Sequence, residues 1–201
     1  MRRLAALLLL LLPLLVPRQA LGGAQQYEPL ADAVRQRLST QVSDHAPPTI
    51  HFKSSSDAQR WLAEMEGRLE RHVPDRKARM ELLRTIHYEA LRAGLDPQLV
   101  LGVIEVESRF RKYAVSKAGA RGFMQVMPFW VGLIGQPRHN LFNLRTNIAY
   151  GCTILRHYLD MEKGDYFRAL GRYNGTVGKG DYPNLVLSAW KGRWKYDGPT
   201  A

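Results

Sequence analysis

Apolar residues recur along the chain at steps of three and four, and the breaks between these stripes divide it into helices. Leu30, Val34 and Leu38 mark a short amphipathic helix over residues 27–38. Residues 39–56 are polar, with Pro47-Pro48 and a triple serine, and read as a linker ending in a helix cap. Ala58, Trp61, Leu62, Met65 and Leu69 form the next stripe, which stops at Pro74. A helix follows from Arg76 to Ala93, with Leu82, Leu83, Ile86 and Ala90 on one side and Gly94 in the position that favours a left-handed stop. Asp96-Pro97 is an acidic cap with proline at the first helical position, opening a helix to Phe110. Tyr113 to Met127 is punctuated by glycine and reads as an irregular loop or small hairpin, and Pro128 to Ile134 as a short helix. Asn143–Met161, Tyr166–Tyr173 and residues 182–196 complete the series, the last with Leu185, Leu187, Trp190 and Trp194. No alternating strand of useful length and no internal repeat interrupts the pattern, so the predicted class is all-α.

The first residues follow a different rule. Arg2 and Arg3 precede the uncharged run Leu4–Val16, and small residues follow at Ala20, Gly22, Gly23 and Ala24. A membrane span needs about 20 apolar residues, so this run is short for one. It reads as a secretory signal peptide cut after Gly22 or Ala24, with an uncleaved anchor as the alternative. The expected organisation is a signal peptide over 1–24, a helical extension and linker over 25–75, a main domain over 76–196 and a tail over 197–201.

Composition changes the picture in two ways. The formal net charge is +11, and loss of residues 1–24 removes three arginines and no acid, so the remainder stays basic. For an exported chain this points to envelope polyanions rather than nucleic acid. Arg109, Arg111, Lys112, Lys117 and Arg121 form the densest basic patch, either a solvated rim or a surface that steers substrate. The single cysteine, Cys152, excludes an internal disulfide framework; it falls on the stripe of the long helix and reads as a buried hydrophobe. The six histidines form no His-Glu-x-x-His pattern, so no metal or other cofactor is expected.

One charged residue is out of place. Val100, Val103 and Ile104 define the apolar face of the 97–110 helix, and steps of three and four from them land on Glu107. Glu105 lies roughly 200° around the helix and is expected to face solvent. Burial disfavours an ionised carboxylate, and the negative end of the helix dipole acts in the same direction, so both raise the pKa above about 4.3. A proton held near neutral pH is what a general acid needs. The competing reading pairs Glu107 with Arg111 one turn on, and the helix considered alone favours that ion pair.

The surrounding motifs decide the matter. Glu107-Ser108-Arg109-Phe110 is followed by Ala114-Val115-Ser116 and by Gly119-Ala120-Arg121-Gly122-Phe123-Met124-Gln125-Val126-Met127-Pro128. Asn143-Leu144, Asn147-Ile148, Gly151 and Tyr173-Asn174-Gly175 come later. From Arg76 to Tyr196 this order resembles the lytic transglycosylase SLT domain, a lysozyme-like family that includes goose-type lysozymes. The resemblance implies an all-α lysozyme-like domain that cuts the MurNAc-GlcNAc β-1,4 bond of peptidoglycan strands and leaves a 1,6-anhydro end. It implies Glu107 as the catalytic acid and Ser108 as a nearby polar residue. Met124 and Gln125 would line the sugar cleft, Tyr173 would turn its hydroxyl toward the acid, and Asn174 would stand beside it; Tyr173 and the backbone from Gly122 to Gln125 are the expected supporting donors. Phe123 stands where the family commonly has leucine, and Arg172 where it commonly has alanine.

No Asp or Glu lies between Glu107 and Gly122, where goose-type hydrolases place aspartates for water. A single-carboxylate route is therefore expected, with Glu107 acting as acid and then as base toward the sugar's tethered C6 hydroxyl. A hydrolytic muramidase and a non-catalytic wall-binding protein are the alternatives.

Overall fold

The computed structural model describes residues 25–43 and 46–199. The predicted signal peptide lies outside the described residues. Eight α-helices follow one another: α1 (Asp32–Val42), α2 (Ser55–Leu69), α3 (Arg76–Arg92), α4 (Pro97–Ser108), α5 (Phe129–Ile134), α6 (Leu144–Met161), α7 (Tyr166–Asn174) and α8 (Asp181–Ser188). A π-helical turn, Ala189–Arg193, continues α8. The fold is all-α, as expected. Among the described residues the only β pairing is two isolated antiparallel bridges, Val115–Arg121 and Arg121–Val126, within the loop that follows α4.

Most helices begin where a short polar side chain can accept from a free backbone N–H. Ser54 accepts from Asp57 N, Asp75 from Ala78 N, Asp96 from Gln98 N, Asn143 from Thr146 N and Asp165 from Arg168 N. Two predicted elements shift. The first helix starts at Asp32 rather than residue 27, because Pro29 removes a backbone donor and pushes the residue before it out of helical conformation, leaving residues 25–31 extended. The last helix widens after Ser188, with Trp194 N bonded to Ala189 O at 2.9 Å, a five-residue step.

α1 and α2 are not a loose extension. Leu38, Val42, Trp61, Met65 and Leu69 are buried in the same cluster as Leu83 and Ile86 of α3 and Ile148 and Leu155 of α6. α3 and α6 are also joined by charge. The fully buried Glu89 carboxylate takes bonds from Arg92 on its own helix and from Arg145 of α6 at 3.0 Å. A buried carboxylate is tolerable only when paired in this way.

One side chain of α6 makes three bonds to the backbone in and next to the 114–127 loop. Asn147, 1% exposed on α6, accepts from Met124 N at 2.8 Å through Oδ1 and donates through Nδ2 to Arg121 O and Leu141 O, both at 2.8 Å. The fit demands glycine at two places. Gly122 has φ +77°, and a Cβ there would lie 2.4 Å from the Asn147 Nδ2. A Cβ on Gly151 would lie 2.3 Å from the Met124 sulfur. Asn147→Ala leaves Met124 N and Leu141 O unpaired, each worth roughly 1–3 kcal/mol, while Arg121 O keeps its bond from Val126 N. The expected result is a loss of about 2 kcal/mol or more, read as a lower urea midpoint with the far-ultraviolet helix signal of the folded state retained.

Candidate active site

α4 delivers Glu107 to the interior. It is almost wholly apolar from Pro97 to Ile104, so every face is buried up to its last turn, and Glu107 is 1% exposed. The helix stops at once afterwards. Arg109 adopts a left-handed conformation with φ 52°, and Phe110 follows with φ 62°. Consecutive non-glycine residues with positive φ are costly and persist only where packing over-determines them. Here the Phe110 ring is wedged between His72 and Trp194, at 5.1 and 5.4 Å. This turn sends the chain away from the carboxylate, and Arg111 bonds Ser108 O at 3.0 Å instead of the acid. The Glu107–Arg111 ion pair is absent.

The carboxylate meets one donor. The Tyr182 hydroxyl, at the start of α8, donates to Glu107 Oε1 at 2.7 Å. Oε2 is buried without a partner. Burial pushes the Glu107 pKa up from 4.5 to about 8, and the Tyr182 hydrogen bond moderates the shift. At neutral pH the group therefore carries its proton. The phenols of Tyr182 and Tyr173 are raised as well, chiefly by burial and secondly by the neighbouring Glu107 charge, so both remain hydroxyl donors.

The other residues singled out from sequence gather around this group in varied ways. Tyr173 lies within the field of Glu107, but its hydroxyl donates to Met124 O at 2.7 Å. Tyr173 was expected to turn its hydroxyl toward the acid; the hydroxyl bonded to the acid is that of Tyr182, which was not among the sequence candidates. Ser108 is fully buried, and its hydroxyl returns to Ile104 O of its own helix at 3.2 Å. Met124 is buried against Gly151. Gln125, φ 49°, turns its carboxamide inward onto Ala114 O and Gly122 O, at 3.1 and 2.9 Å, and so braces the loop. Asn174 is buried and accepts from the Thr176 hydroxyl at 3.1 Å. Tyr182 could have been flagged from sequence as the buried position one turn ahead of Val186, since a buried phenol must find an acceptor.

Glu105 corrects a second expectation. It does not face solvent freely: Arg193 donates to both its oxygens at 2.9 and 3.0 Å, and the Trp194 indole donates at 2.7 Å. With Trp190 donating to Asp96 Oδ2 at 2.9 Å, these bonds fasten the π-helical turn to α4. Glu107 is thus a buried carboxylate with no cation on it. From Ser108 to Leu159 the sequence holds no Asp or Glu, while it carries Arg109, Arg111, Lys112, Lys117, Arg121, Arg138, Arg145 and Arg156. Cys152 is buried, and burial raises its thiol well above the usual range. Among the described residues no group of three His, Cys, Asp or Glu is placed to hold a metal ion, and no helix is long and apolar enough to cross a membrane.

The raised pKa makes a stability prediction. In the unfolded chain Glu107 ionises near 4.5, whereas in the fold it keeps its proton to about 8. Between these values the folded state binds more protons, so this residue's contribution to stability falls as pH rises and levels off above about 8. Glu107→Gln has no such dependence. The variant is therefore expected to gain on the parent from pH 5 to pH 8, by on the order of a few kcal/mol, in denaturant melts across that range. Glu105→Gln is expected to lower the melting temperature at both pH values, because it weakens the tie to Arg193 and Trp194.

Comparison with known proteins gives the family. Residues 84–183 match the family described as Transglycosylase SLT domain. Membrane-bound lytic murein transglycosylase C of Histophilus somni is 38% identical over 123 residues, covering 53% of this chain and 33% of that protein. The namesake from Glaesserella parasuis is 42% identical over 102 residues, 44% of this chain and 28% of its own. The transglycosylase of Enterobacteria phage PRD1 is 35% identical over 110 residues, covering 51% and 40%. Among solved structures, an inactive mutant of lytic transglycosylase Slt from Pseudomonas aeruginosa aligns over 88% of this chain and 35% of its own, with 17% identity and a TM-score of 0.42. The chain spans about a third of the length of the curated relatives it matches first. Glu107, Tyr173 and Tyr182 all fall inside the matched segment, and through it the chain belongs to the transglycosylase SLT domain family.

Proposed function

We propose that the chain is a lytic murein transglycosylase of the cell envelope, cleaving the MurNAc-GlcNAc β-1,4 bond with Glu107 as its one catalytic carboxylate. The observation that carries this reading is a buried, proton-holding Glu107 with a free Oε2 and a tyrosine on Oε1. The family and the relatives' names supply the substrate, peptidoglycan, and the envelope location. The basic stretch after α4 suits a substrate whose peptide stems bear carboxylates.

In this mechanism Glu107 protonates the glycosidic oxygen as the bond breaks. The resulting carboxylate is held by the Tyr182 hydroxyl. A hydrolase would next place water with a second carboxylate. No acid follows until Asp160, and Glu105 is committed to Arg193 and Trp194. The ionised Glu107 therefore takes its proton back from the sugar's C6 hydroxyl, which attacks C1 from within the same ring. Tethering gives that hydroxyl its advantage over solvent. Met124, its carbonyl held by Tyr173, and Gly122 and Gln125 are assigned to the cleft wall, with Ser108, next to the acid in sequence, and Asn174, next to Tyr173, in supporting roles.

Glu107→Gln is expected to lower the rate of sacculus solubilisation by about 10²- to 10⁴-fold without loss of fold. Products of the parent are expected to be one water lighter than hydrolysed ends and to take up no label from heavy-oxygen water. Labelled reducing ends as the main product would assign a hydrolase instead. Tyr182→Phe removes the bond that moderates the Glu107 pKa, so the alkaline limb of the pH–rate profile, near pH 8 in the parent, is expected to move upward while the rate falls.

A further inference from the structure

Gln25 is 3% exposed although it stands in an extended segment ahead of α1. Its carboxamide makes two complementary bonds to one stretch of backbone. Nε2 donates to Gln125 O at 3.0 Å, and Oε1 accepts from Met127 N at 2.8 Å. The inner edge of that stretch is already used, because Arg121 and Val126 exchange both their backbone bonds. Gln125 O and Met127 N, on the other side of Val126 from those two bonds, are the groups left for Gln25. Two further contacts hold the segment. The Tyr27 ring meets Phe129 edge-on at 5.7 Å, and Glu28 lies 3.7 Å from Arg172.

These contacts fall next to Met124 and Tyr173 in the chain. Gln125 follows Met124, whose carbonyl is bonded by Tyr173, and Arg172 precedes Tyr173, the phenol that feels the Glu107 charge. Arg172 is also the position that departs from the family's common alanine, and it is fixed by Glu162 as well as Glu28. A carboxamide offers one acceptor oxygen and donor N–H groups on one planar unit. The acetamido group of an N-acetylated sugar presents the same acceptor and donor.

We propose that residues 25–28 form a self-occluding strap: the Gln25 carboxamide occupies, on Gln125 O and Met127 N, the place of a substrate acetamido group, and glycan binds only when the strap lifts. The proposal rests on reading the cleft as glycan-cutting. It makes the binding-competent state a fraction of the population, so apparent affinity is reduced by that fraction. α1 remains in place when the strap lifts, since Leu38 and Val42 anchor it in the core independently of residues 25–28.

The test compares Gln25→Ala, Glu28→Ala and the double variant with the parent, each as the full chain. On sacculi, the double variant is expected to lower KM about tenfold with kcat unchanged, the single variants less. In a Glu107→Gln background, tri-N-acetylchitotriose is expected to bind about tenfold more tightly once Gln25 is replaced. Without that replacement, the sugar is expected to return the Gln25 side-chain amide signals to free-carboxamide positions in the nitrogen-15 spectrum. Unchanged or raised KM, with Gln25 signals that stay put on sugar addition, would overturn the strap and make Gln25 a brace of the loop. No solubilisation by the parent or any variant would overturn the glycan-cutting reading and the strap with it. Solubilisation with unaltered KM fails the strap alone.

Discussion

The structure is organised around the cost of burying one carboxylate. An ionised Glu107 would lose its hydration with only a single hydroxyl in return, so the protein resolves the conflict by keeping the proton. Each neighbouring cation is turned elsewhere. Arg111 serves Ser108 O, Arg193 serves Glu105, and the left-handed residues Arg109 and Phe110 carry the chain off the helix axis before a guanidinium could fold back. Had Arg111 paired with Glu107, the carboxylate would be ionised at neutral pH and chemically inert as an acid. Glu107 is thus perturbed by desolvation, with a single hydrogen bond as the adjustment, an arrangement that suits the proposed role of acid and then base.

That arrangement sets the demands on the rest of the fold. α4 must be apolar on all sides, so its close neighbours are α3, α8 and the π-helical turn, and the polar ties among them lie at its ends: Asp96 to Trp190, and Glu105 to Arg193 and Trp194. Opposite the acid, the 114–127 loop has almost no regular structure of its own. Asn147 supplies from α6 the backbone partners that a sheet would otherwise provide, and Gln125 closes the loop from within. A cleft wall built this way is positioned by side-chain hydrogen bonds, and its rigidity depends on two residues rather than on a ladder.

The helices were legible because each is an amphipathic stripe with a polar cap, and local signals of that kind survive without knowledge of the partners. The boundary at Asp32 was missed because Pro29 was outweighed by the periodicity of Leu30, Val34 and Leu38. Glu107 was legible as a charge on an apolar stripe. The identity of its hydroxyl partner was not. Tyr173 and Tyr182 are both buried tyrosines on short helices, and only the crossing of α8 over α4 decides which phenol reaches Oε1 and which reaches Met124 O. Glu105 was misplaced for a related reason. Helical angle gives the direction in which a side chain leaves its helix, but the π-helical turn that meets it comes from residues 88 positions away. Gln25 carried no signal at all, since a lone glutamine in a polar segment looks the same whether it is solvated or seated on backbone.

Burial has a further consequence for how such a site is approached. The environment that keeps Glu107 protonated is a dry one, and it persists only while something covers the acid. In an occupied cleft the substrate supplies the cover. In an empty one, water reaching Oε2 would lower the pKa and dissipate the protonation that the first step needs. In the strap proposed above, Gln25 seats its carboxamide on the backbone of Gln125 and Met127, and Glu28 lies on Arg172 beside Tyr173. The strap satisfies a donor and acceptor that would otherwise need solvent, and it yields to a ligand offering the same two groups. The hydrogen bonds exchanged are alike in number and kind, so the swap is close to balanced, and the balance is tipped by the sugar rings and their remaining contacts. On the proposed reading, a protonated acid and a displaceable strap on the neighbouring loop answer the same demand, an uncharged carboxyl held in a site that must also open.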